Sequence, residues 1–95
     1  IEWGPDIFGI GAASRHYFGK NPSELKAIEA AYLASVIPNP NRYYTYYFKN
    51  EIPDKWYEKI QSILYRMNLF QYLSDDEYNQ SLNEKIIFER TALAK

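Results

Sequence analysis

NPSELKAIEAAYLASVIPNP, residues 21–40, decides how this chain folds. Asn21 followed by Pro22 and Glu24 supplies a cap, a first-turn proline and a capping-box acid. Leu25, Ile28, Tyr32 and Val36 then recur in helical register, and the spacing predicts a helix over about residues 23–37. Ala27, Ala30, Ala31 and Ala34 accompany only three charges, Glu24, Lys26 and Glu29, so most of this helix is expected to be buried. Pro38 and Pro40 end it, because proline excludes the preceding residue from helical geometry and removes a donor.

Working outward, IFGIGAASRHYF (residues 7–18) mixes small residues with Ile7, Ile10, Tyr17 and Phe18 at three- and four-residue spacings. A short helix fits, stopped by Gly19. Gly9 and Gly11 each cost about 1 kcal/mol against alanine inside a helix, so close approach by a neighbour is expected there. Downstream, residues 38–53 read as an extended connection with five aromatics between 43 and 48. Pro53 opens the longest helix, roughly 53–70, with Trp56, Ile60, Ile63, Leu64, Met67 and Phe70 as its apolar stripe. Ser74 and Glu77 make a capping box for a short helix through about Leu82, and KIIF (residues 85–88) closes in extended form. The reading is therefore all-α.

The 95 residues are 46% hydrophobic, 24% charged and 18% aromatic, the profile of one globular domain with a modest core. Eleven Lys+Arg against twelve Asp+Glu leave a net charge of -1, which supplies no general basic field for nucleic acid. Without cysteine there is neither a disulfide framework nor a thiolate zinc site. No apolar run approaches the roughly 18 to 20 residues of a membrane span. Ile1 in place of Met, with the opening IEW, reads as the start of an excised or processed part of something longer.

Candidate chemistry is sparse. His16 stands beside Arg15 and Tyr17 without a carboxylate at ligand spacing and reads as structural or surface rather than metal-binding. Asp75, Asp76 and Glu77 fall in the first turn of a helix, where the macrodipole favours them. Glu2 and Glu29 are the carboxylates in apolar surroundings. A two-carboxylate glycosidase pair needs them face to face, and Glu29 reads instead as a polar partner inside its bundle. Tyr43, Tyr44, Tyr46, Tyr47 and Phe48, bracketed by Asn39, Asn41, Arg42 and Lys49, carry two readings: rings that stack on sugar faces, or tyrosines that cover the core with their hydroxyls wet.

IEWGPDIFGIGAASRHYFGK, then Leu25, Glu29, AAYLA and VIPNPNRYY, resembles the second half of the bacterial peptidoglycan glycosyltransferase domain, strongly over residues 1–43 and more loosely over 53–82. The IEWG opening is closer to the monofunctional transglycosylases than to the two-domain penicillin-binding proteins. The resemblance implies that residues 1–95 are the C-terminal part of a lysozyme-like helical domain on the outer face of the cytoplasmic membrane. It implies polymerisation of lipid II into glycan strands. Both family glutamates and the phosphate-gripping cluster would belong to motifs upstream of Ile1, with a membrane anchor at the parent's N-terminus. No catalytic residue is then expected here, only scaffold and cleft wall. Asn41 corresponds to a polar position near sugar and pyrophosphate, and Lys59 to the first of two basic residues on the long helix, the second being Ile60. Arg42 and Tyr43 join them as candidate substrate-binding residues.

The family also implies lipid II and the growing glycan strand as partners, contacts with other cell-wall synthesis proteins, no cofactor in this stretch, and a divalent cation only in the complete enzyme. A helical glycan- or protein-binding module without chemistry is the rival reading, and a glycan-cleaving lysozyme-like enzyme the third.

Overall fold

The computed structural model describes residues 1–91. A two-stranded antiparallel hairpin, β1 (Glu2–Gly4) with β2 (Ile7–Phe8), leads into α1 (Ile10–Phe18), a 3-10 turn (Pro22–Glu24), α2 (Ala27–Val36), α3 (Pro40–Lys49), α4 (Asp54–Leu69) and α5 (Asp75–Ser81). The all-α reading holds, with the small hairpin added to it.

Helix α2 is the centre. Ile28, Ala31, Tyr32, Leu33 and Val36 are buried, and α4 packs along it with Ile60 and Leu64 fully covered. Because α4 is apolar at i, i+3 and i+4, it turns one stripe inward and leaves Lys55, Glu58, Lys59, Ser62 and Arg66 exposed. Phe70 departs from the predicted stripe: it lies past the helix and is 67% exposed. The predicted 23–37 helix is two pieces. Asn21 caps only the 3-10 turn, and α2 starts afresh at Ala27, where Glu29 Oε1 accepts the Lys26 backbone N–H at 2.7 Å. The same carboxylate receives Lys20 Nζ at 2.9 and 3.0 Å. Glu29 is thus the polar partner expected of it.

The N-terminal segment also differs from the reading. Residues 7 and 8 pair with β1 instead of starting a helix, and Gly9, at φ +84, forms the corner before α1. The close approach expected at Gly9 and Gly11 is at Gly4. A Cβ there would stand 2.9 Å from Tyr44 Cδ1, whereas one on Gly9 would meet nothing within 4 Å and one on Gly11 would first meet the Arg15 side chain of its own helix, at 3.2 Å. In α1 the tightly enclosed small residues are Ala13 and Ser14, both 0% exposed. Gly19 stops α1 in the left-handed conformation, its N–H donating to Arg15 O, as predicted.

Residues 84–90, without helix or strand, form a strap across the bundle. Phe88 inserts among Tyr17, Phe18, Tyr32 and Tyr47, with ring centroids 5.2 to 6.2 Å away. Glu89 N–H donates to Tyr17 O at 2.8 Å, and Ile86 N–H to Tyr57 Oη at 3.0 Å. Trp3 Nε1–H donates to Leu33 O and Tyr17 OH to Trp3 O, tying the hairpin to α1 and α2. Burial raises the Tyr17 and Tyr32 hydroxyls above the ordinary phenol range. The acid triplet Asp75–Glu77 fills the first turn of α5, where Ser74 Oγ accepts the Glu77 N–H at 3.1 Å.

Candidate functional site

The segment that carries three of the candidate residues is a helix, not the extended connection read from its prolines. Asn39 is the N-cap of α3, its Oδ1 accepting the Arg42 N–H at 3.4 Å, and Pro40 occupies the first turn, where its missing N–H costs nothing. Pro38 and Pro40 therefore end α2 and, together with Asn39, begin α3. The tyrosines then fall at helical spacing. Tyr47 faces the core, fully buried, with its hydroxyl donating to Glu89 O at 3.1 Å. Tyr44 leans on α1 and shares a 2.9 Å hydrogen bond with His16 Nε2.

His16 is accordingly a packed side chain, edge-on to Tyr17 and tilted against Tyr47, and burial lowers its pKa. At the far end of α3, the Arg90 guanidinium donates to the carbonyls of Tyr47 and Phe48, groups that a helix C-terminus leaves unpaired. The strap thus fixes α3 from one end and the cap from the other.

The four candidate residues occupy the facing edges of α3 and α4. Asn41 is exposed in the first turn of α3, and its side chain makes no hydrogen bond among the described residues. Arg42 is exposed, with Cζ 5.8 Å from the Tyr43 ring centroid. Tyr43 is half-buried, lies 4.4 Å from Trp56 between centroids, and stacks on Tyr46 at 5.7 Å and 20°. Lys59 is exposed on α4 and places Nζ 4.6 Å from the Trp56 centroid. Arg42, Tyr43, Trp56 and Lys59 are thus linked by successive contacts, cation to ring, ring to ring and ring to cation. Asn41 stands one residue before Arg42.

Trp56 is the member that sequence reasoning missed. It was assigned to the apolar stripe of α4, where it also belongs: it is half-buried, and its Nε1–H donates to Ser35 Oγ at 2.9 Å. The signal that marks its second role is the Trp-x-x-Lys spacing, because residues three apart on a helix are neighbours. Ile60, in the place of the second basic residue, is fully buried between α4 and α2.

Two cavities lie elsewhere. One, of about 210 Å³, is lined by Thr45, Tyr46, Lys49, Glu51 and Pro53. The other, of about 180 Å³, surrounds the 3.5 Å Lys26–Glu84 ion pair and is lined also by Ala27, Glu77 and Gln80. None of Asn41, Arg42, Tyr43 or Lys59 lines either, so the cleft wall expected of this stretch does not border these two hollows. Among the described residues no three His, Cys, Asp or Glu side chains converge as a metal-ligand set. These residues do not fit the divalent cation that the resemblance allows for the complete enzyme.

Residues 1–68 match the family model described as Transglycosylase. A biosynthetic peptidoglycan transglycosylase of Nitrosomonas europaea is 60% identical over 45 residues, 47% of this chain and 18% of that protein. Penicillin-binding protein 1A of Clostridium perfringens is 33% identical over 85 residues, 88% of this chain and 12% of the relative. The crystal structure of penicillin-binding protein 1A from Haemophilus influenzae superposes with a TM-score of 0.68 at 31% identity, covering 86% of this chain and 12% of that one. The chain spans less than a fifth of the length of the curated relatives it matches. A match over more than two thirds of its residues, on a fold shared with a solved relative, makes this chain a member of the transglycosylase family.

Proposed function

We propose that this chain is part of a peptidoglycan glycosyltransferase that polymerises lipid II into glycan strands on the outer face of the bacterial cytoplasmic membrane. Its share is cleft wall and scaffold. The observation that carries this reading is the 60% identity, over 45 residues, to a protein named biosynthetic peptidoglycan transglycosylase.

The geometry supports the division of labour. Glu29, the one buried carboxylate among the described residues, is bound by Lys20 Nζ and the Lys26 N–H, which leaves it no role as a general base. Asn41, Arg42 and Lys59 carry exposed donors on one edge of the molecule, suited to phosphate and hydroxyl oxygens, and Tyr43 supplies a ring beside them. In the complete enzyme, with its membrane anchor and its partner proteins of wall synthesis, this edge would face lipid II and the growing strand.

The test uses the complete reading frame and the 95-residue chain side by side, supplied with lipid II. The complete protein is expected to make glycan and the chain alone none, since the group that takes the acceptor proton is not among its residues. Asn41→Ala in the complete enzyme should lower kcat/KM by about 1 to 2 kcal/mol of transition-state binding, the size of one hydrogen bond to a charged ligand. Glycan made by the chain alone, or no glycan from the complete protein, would overturn this assignment.

A further inference from the structure

We infer that Trp56 is a positioning residue, which holds Lys59 in place as an anion-binding group. The inference rests on the substrate-facing role proposed for Lys59. It adds a residue that neither the family pattern read from the sequence nor the comparisons assign.

Three observations carry it. Among the described residues no carboxylate lies within ion-pair distance of Lys59, and its ammonium rests on the Trp56 ring at 4.6 Å. A cation over an indole face is attracted by the ring quadrupole, most strongly for tryptophan. Next, the indole is itself held. Its Nε1–H donates to Ser35 Oγ, and Ser35 Oγ–H donates in turn to Tyr32 O at 2.6 Å, so the ring is anchored to the buried helix α2. Finally, the indole is packed by rings of α3: Tyr43 lies 4.4 Å and Tyr46 5.2 Å from it between centroids.

A free lysine loses much of its rotamer freedom when a ligand fixes it. A lysine already lying on a ring has lost part of that before the ligand arrives, which favours binding. With Ile60 buried where a second cation would stand, α4 offers Lys59 alone at this pair of positions, and its placement weighs more. Asp54, Glu51 and Glu58 are exposed nearby in sequence and oppose an anion, so a fixed lysine is worth more here than a mobile one.

The test is an NMR titration of the full 95-residue chain with inorganic pyrophosphate at low salt, comparing wild type with Lys59→Ala, Trp56→Leu, Trp56→Phe and the double variant Trp56→Leu/Lys59→Ala. Thermal melts of each confirm the fold. Leucine keeps apolar packing without a ring, whereas phenylalanine keeps an aromatic face, a smaller one, and loses the bond to Ser35.

Lys59→Ala is expected to weaken pyrophosphate roughly three- to tenfold, Trp56→Leu two- to fivefold, and the double variant no more than Lys59→Ala alone. Trp56→Phe should stay within about twofold of wild type, and the Lys59 ε-methylene protons should lose their upfield ring-current shift in Trp56→Leu only. Equal weakening by Leu and Phe, or additive losses in the double variant, would overturn the positioning role while leaving Lys59 as an anion ligand. Pyrophosphate binding unchanged by Lys59→Ala, or absent in the wild type, would overturn both this inference and the substrate-facing reading of Lys59.

Discussion

Phe88 is the sharpest place to test how this domain is held together. It lies at 7% exposure on a strap without regular structure, twenty residues beyond the last one matched by the family model. Yet its ring meets Tyr17 and Phe18 of α1, Tyr32 of α2 and Tyr47 of α3. Removing a buried phenylalanine to alanine costs about 3 to 5 kcal/mol, the transfer term plus the cavity left behind. In a domain of this size each kcal/mol moves the midpoint by roughly 4 to 8 °C. Phe88→Ala should therefore lower Tm by about 12 °C or more, a large share of the roughly 5 to 15 kcal/mol that holds a typical domain. Circular dichroism melts and urea titrations read it directly. Ile87→Ala is the internal control: Ile87 is 80% exposed on the same strap and should change stability by less than about 0.5 kcal/mol. If Phe88→Ala falls within about 1 kcal/mol of wild type, or matches Ile87→Ala, the strap does not belong to the core and the reasoning fails.

Other outcomes follow from the same structure. Asn39→Ala removes the cap of α3 and should cost about 1 kcal/mol by urea titration, whereas Asn41→Ala, exposed and without a side-chain bond, should leave the midpoint unchanged; reversed effects would make Asn41 the turn-forming residue. Ile60→Lys places a charge at a fully covered position, and an expected loss of about 3 kcal/mol or more is read from the melt; a mild effect would mean that the side chain reaches solvent from that position. Burial lowers the His16 pKa, so between the ordinary imidazole value of about 6.5 and its folded value the unfolded chain binds more protons. Stability should thus fall as pH drops through that window, and His16→Gln should flatten the slope there. At the alkaline end the sign reverses, because Tyr17 and Tyr32 are raised: the unfolded phenols ionise first and stability should decline above about pH 10.

What the sequence disclosed, and what it withheld, divides along the range of the forces involved. Helices α4 and α5 were legible because their evidence is local: an apolar residue every third or fourth position, and a Ser-x-x-Glu box that closes on itself. The two pieces at 21–37 were half legible, since the Asn21 cap is real but governs a single 3-10 turn, and α2 takes its start from Glu29. Helix α3 was misread because a proline two residues after another looks like a breaker, and only the asparagine between them, acting as cap, turns the second into a first-turn residue. Gly4 and Phe88 were invisible for a different reason: one is small because Tyr44, forty positions on, lies against it, and the other is core because four rings from three helices leave a hole its size.

The site follows the same logic. Asn41 and Lys59 were named through resemblance, Arg42 and Tyr43 through the aromatic strip that Asn41 borders, and no local pattern joined that strip to Lys59. Trp56 joins three of them, and it does so while serving the core, its indole N–H spent on Ser35 and its face on Lys59. Ile60, one residue past Lys59, points a hundred degrees away along the helix and is sealed against α2. A single turn of α4 therefore cannot hold both a second exposed cation at residue 60 and this packing against α2. In this chain the packing has taken that position, and the remaining cation is fixed by a ring instead of reinforced by a neighbour.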